Sequence, residues 1–195
     1  MEERRGRPGR VSLMRTAISL MGEHGYEGTS TRDIAAAAGV SVAALYYHFP
    51  SKLDLLREFL HEAHDVVLVR VEKEIEAAGA DPVARLDAAV AAVIWSNIHD
   101  DWARQAALVA WREHGRLESG DQKTIAKKRG QLVDLIAGVL EDTAFVTTEP
   151  RDVARAILTL CISVVDPFSE TRPPLAKVIE LNQRLARALA ATPPK

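Results

Sequence analysis

Residues 29 to 53 constrain the fold most, because this short segment combines two helix starts with a glycine and a proline that end helices. It reads TSTRDIAAAAGVSVAALYYHFPSKL. Thr31 is predicted to cap a first short helix, and Gly39 is predicted to end it in a left-handed conformation. Ser41 is predicted to cap a second helix, which Pro50 ends. Two short helices joined by a tight turn that contains glycine form the helix-turn-helix pattern.

Helical spacing continues along nearly the whole chain. Apolar side chains recur three or four residues apart, and no convincing period-two alternation predicts a strand. A first helix is expected over Leu13 to Met21, ended by the glycines between 22 and 28. Further helix starts are predicted at Ser51, at Asp81, at Asp100, at Ser119 or Asp121, between Thr148 and Pro150, and near Leu175. The sequence therefore predicts an all-α fold of nine helices.

Composition places the chain among ordinary globular proteins. Of its 195 residues, 47% are hydrophobic and 27% are charged, and no apolar run approaches the length of a membrane span. The single cysteine, Cys161, excludes an intramolecular disulfide and a zinc site built from several cysteines, and it fits a reducing compartment. We expect a soluble cytoplasmic protein in which Cys161 is a small buried hydrophobe rather than a redox sensor.

The distribution of charge is more informative than its sum. The formal net charge is −2, which by itself does not suggest a polyanion-binding protein. From Arg4 to Lys52, however, seven basic residues stand against three acidic ones, so this part carries +4 and the remainder −6. The amino-terminal part is therefore predicted to face an anionic partner.

The same amino-terminal part resembles the DNA-binding signature of the TetR family of regulators. The likeness rests on Gly39-Val40-Ser41, on Leu45-Tyr46-Tyr47-His48-Phe49, on Ser51-Lys52 and on Leu55-Leu56, and it extends over residues 12 to 56. So many positions agree in type and spacing that we identify the chain as a member of this family. The resemblance implies a transcriptional regulator, most often a repressor, rather than an enzyme.

The resemblance also implies a domain organisation. A basic arm at 1–10 precedes a helix-turn-helix domain at 11–56, and residues 57–195 form a ligand-binding and dimerisation domain. A homodimer is expected, because a palindromic operator needs two recognition helices about 34 Å apart. The apolar faces of the last two helices, Asp152 to Val165 and Leu175 to Ala191, are expected to form its interface. A small-molecule effector would release the double-stranded DNA operator.

The second helix of the motif, Val42 to Phe49, is the expected recognition helix. Its first turn enters the major groove in this motif and carries small apolar side chains: Val42, Ala43 and Ala44. These can contact thymine methyl groups but cannot form bidentate hydrogen bonds to guanine or adenine. We therefore expect methyl contacts and DNA shape to supply much of the sequence preference, with Tyr47 as the polar contact.

Contacts to DNA phosphates follow from the resemblance and from the chemistry of the side chains. The expected residues are Thr31, Arg32, Ser41, Tyr46, His48 and Lys52. The alternative is that Tyr46 and Tyr47 are ordinary core aromatics. Two adjacent helical residues cannot both face inward with Leu45 and Phe49, so at least one tyrosine is expected to be exposed.

The amino-terminal arm carries closely spaced arginines. Its segment Arg5-Gly6-Arg7-Pro8 resembles the AT-hook, an extended basic element that enters the minor groove at A·T steps. Arg5 and Arg7 are the expected contacts. The alternative is a solubilising tail without a DNA contact.

An effector pocket is predicted from tryptophans in consecutive helices. Its expected lining is Trp95, Ile98, Trp102, Leu108, Trp111, Leu132 and Ile136. The alternative is that these side chains simply fill the core. Residues 111 to 148 loosely resemble TetR regulators of fatty-acid and sterol breakdown, which implies an acyl-coenzyme A thioester as effector. Arg104, Arg112 and Arg116 are candidates for its phosphate groups.

Other functions are less well supported by the sequence. His61 and His64 lie three residues apart on one predicted helix, but no third metal ligand is evident, so neither a metal nor a cofactor is expected. The sequence contains no glycine-rich phosphate loop and no nucleophile elbow, so it gives no support to a helical enzyme. An architectural DNA-binding protein without an effector would not need the large carboxyl-terminal domain.

Overall fold

The computed structural model describes residues 9–142, 144–145, 149–165 and 173–191, and within them the fold is entirely helical. A single turn of 3-10 helix, His114–Arg116, lies between the sixth and seventh α-helices. The α-helices are α1 Arg10–His24, α2 Thr31–Ala37, α3 Val42–His48, α4 Lys52–Ala77, α5 Pro82–Ile98, α6 Asp101–Glu113, α7 Ser119–Leu140, α8 Pro150–Ser163 and α9 Leu175–Ala190. The predicted all-α fold with nine helices is thus confirmed for the described part of the chain.

Most predicted helix starts are confirmed by their capping hydrogen bonds. The side chains of Ser41, Ser51, Asp81 and Asp100 each accept a hydrogen bond from a backbone N–H two or three residues ahead. Such acceptors satisfy the free N–H groups of the first helical turn. Helix α3, the predicted recognition helix, ends one residue earlier than predicted, because Phe49 already has extended backbone angles.

The predicted cap of α2 is wrong by one residue. Ser30, not Thr31, is the N-cap: its hydroxyl accepts a hydrogen bond from the backbone N–H of Asp33 at 3.1 Å. The carboxylate of Asp33 accepts one in return from the backbone N–H of Ser30 at 2.9 Å. This reciprocal capping box stabilises the start at Ser30. The Ser30 hydroxyl also donates to the Asp33 carboxylate at 2.6 Å, and this hydrogen bond, together with the one from the Ser30 backbone N–H, lowers the pKa of Asp33.

The first helix is longer than predicted at both ends. It begins at Arg10, which the sequence placed in the arm, and it continues through Gly22 to His24, where Gly25, with a φ of +75°, is the C-cap. Gly22 lies where α1 crosses α6. A Cβ atom at Gly22 would lie 2.8 Å from the Cβ of Gln105, so only glycine permits this close approach of the two helices.

Two hydrophobic clusters organise the described residues. The amino-terminal cluster joins α1, α2, α3 and the start of α4, and it also includes Ala106 and Val109 of α6 and Ile125 of α7. The carboxyl-terminal cluster joins the end of α4 with α5, α7, α8 and α9. Packing therefore crosses the predicted domain boundary after residue 56, since Phe59 and Leu60 belong to the amino-terminal cluster. The amino-terminal unit consequently packs on the rest of the protein through α1 against α6 and through α4 against α7.

Cys161 of α8 lies buried in the carboxyl-terminal cluster. Burial raises the pKa of its thiol to about 12, so the reactive thiolate is disfavoured. The prediction of a small buried hydrophobe is confirmed. Among the described helices, none combines the length and apolar character that crossing a membrane requires.

Candidate nucleic-acid interface

The two faces of α3 differ sharply in exposure. Leu45 is buried together with Phe49, the residue that follows the helix. Tyr47 is 86% exposed and Tyr46 is 45% exposed, so neither tyrosine is a core aromatic. Ala43 is also exposed, whereas Val42 and Ala44 are half-buried. The helix thus presents Tyr47 and a small apolar first turn to solvent. A surface that enters a DNA groove must be exposed in this way.

Tyr46 connects α3 to α2. Its hydroxyl lies 3.4 Å from the hydroxyl of Thr31, the first residue of α2. Arg32, the residue after Thr31, and Ser41, the N-cap of α3, are both exposed. Hydroxyls, a guanidinium and the backbone N–H groups of two helix starts are all suitable donors to phosphate oxygens.

His48 lies between the exposed and the buried face. Its half-buried ring meets the ring of Tyr47 edge-on, with centroids 5.3 Å apart, and lies 6.5 Å from the ring of Phe49. The imidazole therefore supports the orientation of Tyr47 and leaves part of its edge open to solvent. Its contact with phosphate remains a prediction.

Lys52 has a second role that the sequence did not indicate. Its Nζ donates hydrogen bonds to the carbonyl oxygens of Tyr26 at 2.7 Å and of Thr29 at 2.8 Å, and it lies 4.0 Å from the centroid of the Tyr26 ring. An ammonium group has three donors, so two are used internally and one remains for a phosphate. Lys52 is a cation held in place by the loop between α1 and α2.

The loop that holds Lys52 was missed as part of the candidate site. Thr29 is fully buried, and its hydroxyl donates to the carbonyl oxygen of Gly25 at 2.9 Å. The three residues before it are tyrosine, glutamate and glycine, a composition typical of an ordinary loop between helices. A buried threonine in such a loop has no distinguishing pattern, so no sequence signal separated it from a surface turn.

The arm residues Arg4, Arg5 and Arg7 lie outside the described part of the chain. Arg10, the last cation of the predicted arm, is the first residue of α1 and forms an ion pair with Glu58. Its guanidinium carbon also lies 4.9 Å from the centroid of the Phe49 ring. The start of α1 therefore lies beside the end of α3.

We expect the triple substitution of Arg4, Arg5 and Arg7 by alanine to weaken DNA binding and to flatten its salt dependence. Removal of one phosphate-neutralising cation should reduce the slope of log affinity against log salt by roughly 0.9. Titrations over a range of salt concentrations measure this slope. Replacing the remote, exposed Lys73 with alanine is the control, and an unchanged slope in the arm variant would mean that the arm does not contact DNA.

The three tryptophans of the predicted effector pocket lie apart from one another, and their role in binding an effector remains a prediction. Trp102 packs against the amino-terminal cluster, where the Arg15 guanidinium stacks on its ring at 4.0 Å. Trp111 is 62% exposed. Trp95 lies at the surface of α5, and the ring of His99 stacks on it with centroids 3.7 Å apart. The three rings thus occupy three separate environments.

The aliphatic residues of the predicted lining are divided between core and surface. Ile98, Leu132 and Ile136 are buried in the carboxyl-terminal cluster, which agrees with the alternative that they fill the core. Leu108 is half-buried on α6.

The three candidate arginines for a phosphate-bearing effector are not equivalent. Arg116 is already engaged by Glu27, at 2.6 Å, and by Glu113. Its carboxylate partners raise the pKa of its guanidinium, which stays charged. Arg112 is exposed and Arg104 is half-buried. Arg116 is therefore a structural residue, and only the other two retain the predicted role.

The histidine pair of α4 has protein partners. His61 lies 2.9 Å from a carboxylate oxygen of Asp121 on α7, and Nδ1 of His64 lies 2.7 Å from the carbonyl oxygen of Leu60. Burial lowers the pKa of His64, which favours the neutral ring. Within the described ranges, no three potential metal-ligating side chains form a group that could hold an ion.

Comparison with known proteins supports the assignment of the amino-terminal unit. Residues 13–59 match the family model described as bacterial regulatory proteins, tetR family. The chain is also 40% identical over 81 residues to the HTH-type transcriptional repressor KstR2 of Rhodococcus jostii strain RHA1. That match spans 42% of this chain and 39% of the repressor, so it covers well under two thirds of that relative.

Solved structures extend the likeness to most of the described fold. A bacterial regulatory protein of the tetR family from Rhodococcus RHA1 has a TM-score of 0.80 and 27% identity, over 95% of this chain and 98% of that one. AibR, solved with isovaleryl coenzyme A and operator DNA, has a TM-score of 0.77 and 23% identity, over 90% and 96%. The latter likeness shows the fold alone.

Proposed function

Because this chain belongs to the TetR family of bacterial regulatory proteins, we propose that it is a cytoplasmic repressor that binds a palindromic operator as a homodimer. A small hydrophobic effector, with an acyl-coenzyme A thioester as the first candidate, releases it from DNA. The carboxyl-terminal residues from 57 onward hold the effector and form the dimer.

The observation that carries the proposal is the exposure of Tyr47 opposite the buried side of α3. A helix that needed only to complete a core would not leave a tyrosine 86% exposed beside a half-exposed second one. The hydroxyls of Thr31 and Tyr46 lie together, Arg32 is exposed beside Thr31 in the sequence, and Lys52 is held by the preceding loop. This arrangement supplies one surface with donors for phosphates and with an apolar first turn for base methyl groups.

The dimer is supported by an apolar stripe on α9. Leu181, Leu185 and Leu189 are 52%, 40% and 37% exposed, and they recur at intervals of four residues on one side of the helix. On α8, small or polar residues face outward, among them Ala156 and Thr159. Pairing of α8 and α9 with their twofold mates would bury this stripe in a four-helix bundle.

The effector class is supported by the sequence likeness of residues 111 to 148 to regulators of fatty-acid and sterol breakdown. The relative KstR2 is described as a repressor, and AibR was solved with isovaleryl coenzyme A. Exposed Arg112 and half-buried Arg104 on α6 are available for a phosphate-bearing group. Release requires only that the effector bind the DNA-incompetent arrangement more tightly than the competent one.

The proposal is tested in two steps with the full chain. Selection from random duplex DNA should enrich a palindrome with half-sites one helical turn apart, and fluorescence anisotropy then gives its affinity. Adding acyl-coenzyme A thioesters of increasing length should lower this affinity and raise the midpoint of thermal unfolding. If the selection enriches no sequence, the proposal that the protein is a repressor is contradicted. Enrichment without any response to thioesters or other hydrophobic compounds would favour an architectural protein without an effector.

A further inference from the structure

We propose that Arg116, in the 3-10 turn between α6 and α7, is a positioning residue for DNA binding: through Tyr26 it holds the loop that fixes the ammonium group of Lys52. This inference rests on the proposed function, because it concerns the cation assigned to a phosphate contact. The junction of α6 and α7 would then help to position the DNA-facing surface.

The aromatic ring of Tyr26 is the meeting point of the two cations. Nζ of Lys52 lies 4.0 Å from the ring centroid, and Cζ of Arg116 lies 4.7 Å from it. Both distances fall within the range of cation–π attraction. Burial raises the pKa of Tyr26, so the ring remains a neutral phenol at ordinary pH. One half-buried side chain of the loop therefore contacts a cation of the DNA-facing unit and a cation of the α6–α7 junction.

Two carboxylates hold the guanidinium of Arg116 beside the Tyr26 ring. Its Nη1 donates to Glu27, the residue after Tyr26, at 2.6 Å, and its Nε donates to Glu113, the last residue of α6. Glu113 is a buried carboxylate. A buried carboxylate without a cationic partner is costly, so Glu113 keeps Arg116 in its orientation. The guanidinium thus connects the end of α6 to the loop.

The backbone of the loop between α1 and α2 fixes the position of the Lys52 ammonium group. The carbonyl oxygens of Tyr26 and Thr29 both accept hydrogen bonds from Nζ of Lys52. A lysine side chain has several rotatable bonds, and only such partners restrict its ammonium group to one place. If Arg116 is removed, Tyr26 loses a cation and Glu27 loses its partner. The carbonyl oxygens that define the position of Lys52 then become free to move.

The test compares Arg116→Gln with Arg116→Lys and with Arg129→Gln, the last being a matched control at an exposed arginine of α7. The first readout needs no DNA: the rate of reductive methylation of Lys52 in the free protein, measured by mass spectrometry. We expect Arg116→Gln to raise this rate several-fold and the other two variants to change it little. The rate at exposed Lys73 is the internal reference. An unchanged rate at Lys52 in Arg116→Gln would overturn the proposal, whether or not the protein binds DNA.

The second readout is a double-mutant cycle on operator DNA with Lys52→Met. Arg116→Gln alone should weaken binding about ten-fold, the effect of roughly one impaired charged hydrogen bond. It should also flatten the salt dependence, since each phosphate that is no longer neutralised removes about 0.9 from the slope. In the Lys52→Met background it should have little further effect. Additive losses would overturn the proposal, whereas failure of the wild-type protein to bind any DNA would refute the proposed function instead.

Discussion

Replacing Tyr47 with alanine should weaken operator binding by about two orders of magnitude and leave the fold intact. Removing a base or phosphate interaction costs about 1–3 kcal/mol, and a dimer is affected at both half-sites. Because Tyr47 is 86% exposed, its truncation should change the free energy of unfolding by no more than about 0.5 kcal/mol. Anisotropy titrations on the selected operator at one fixed salt concentration measure the weakening.

The variant Tyr47→Phe separates the hydroxyl from the ring. If the hydroxyl donates to DNA, phenylalanine should behave nearly as poorly as alanine; if the ring packs against sugar or methyl groups, it should retain most of the affinity. Thermal unfolding and the dimer mass serve as controls for folding. Unchanged affinity of the alanine variant would contradict the assignment of α3 as the recognition helix.

Replacing Leu181 and Leu185 together with glutamate should convert the proposed dimer to monomers and abolish operator binding. Full burial of a leucine contributes about 1.5–3 kcal/mol, and the dimer would lose four such side chains while gaining four charges at an apolar surface. The monomer should stay folded, because both leucines lie outside the core of the isolated chain. Light scattering coupled to size-exclusion chromatography gives the mass, and circular dichroism gives the helix content.

The matched control is Ala176→Glu, which adds the same charge at an exposed position on another side of α9. This variant should remain dimeric and bind the operator normally. A dimer that persists in the double variant would place the interface elsewhere, and the exposed faces of α4 and α6 would then be the surfaces to test.

Local capping chemistry explains why the helix starts were predictable and where the prediction was wrong. Ser41, Ser51, Asp81 and Asp100 precede helices whose first free N–H groups they satisfy, and no distant residue is needed for this. At α2, both Ser30 and Thr31 are suitable caps. The reciprocal hydrogen bonds between Ser30 and Asp33 make Ser30 the cap. The three-residue spacing between these two residues is visible in the sequence.

The aromatic residues illustrate what spacing alone could not decide. Trp95, Trp102 and Trp111 lie in helices with well-predicted bounds, yet which side of each helix meets a neighbour depends on how the helices cross. Trp102 faces α1 because Gly22 lets α1 and α6 approach closely. The same crossing leaves Trp111 facing solvent.

The sequence by itself determined the helical architecture and the helix-turn-helix, since capping, glycine and proline act over a few residues and amphipathic spacing acts within one helix. It also determined that Leu45 and Phe49 face inward and that a tyrosine does not. Only the tertiary structure decided that Lys52 is held by Tyr26 and Thr29, and that Arg116 reaches the same ring from residues far along the chain. Those contacts depend on the crossing of α1 with α6 and on a buried carboxylate, Glu113, and neither leaves a periodic pattern in the sequence.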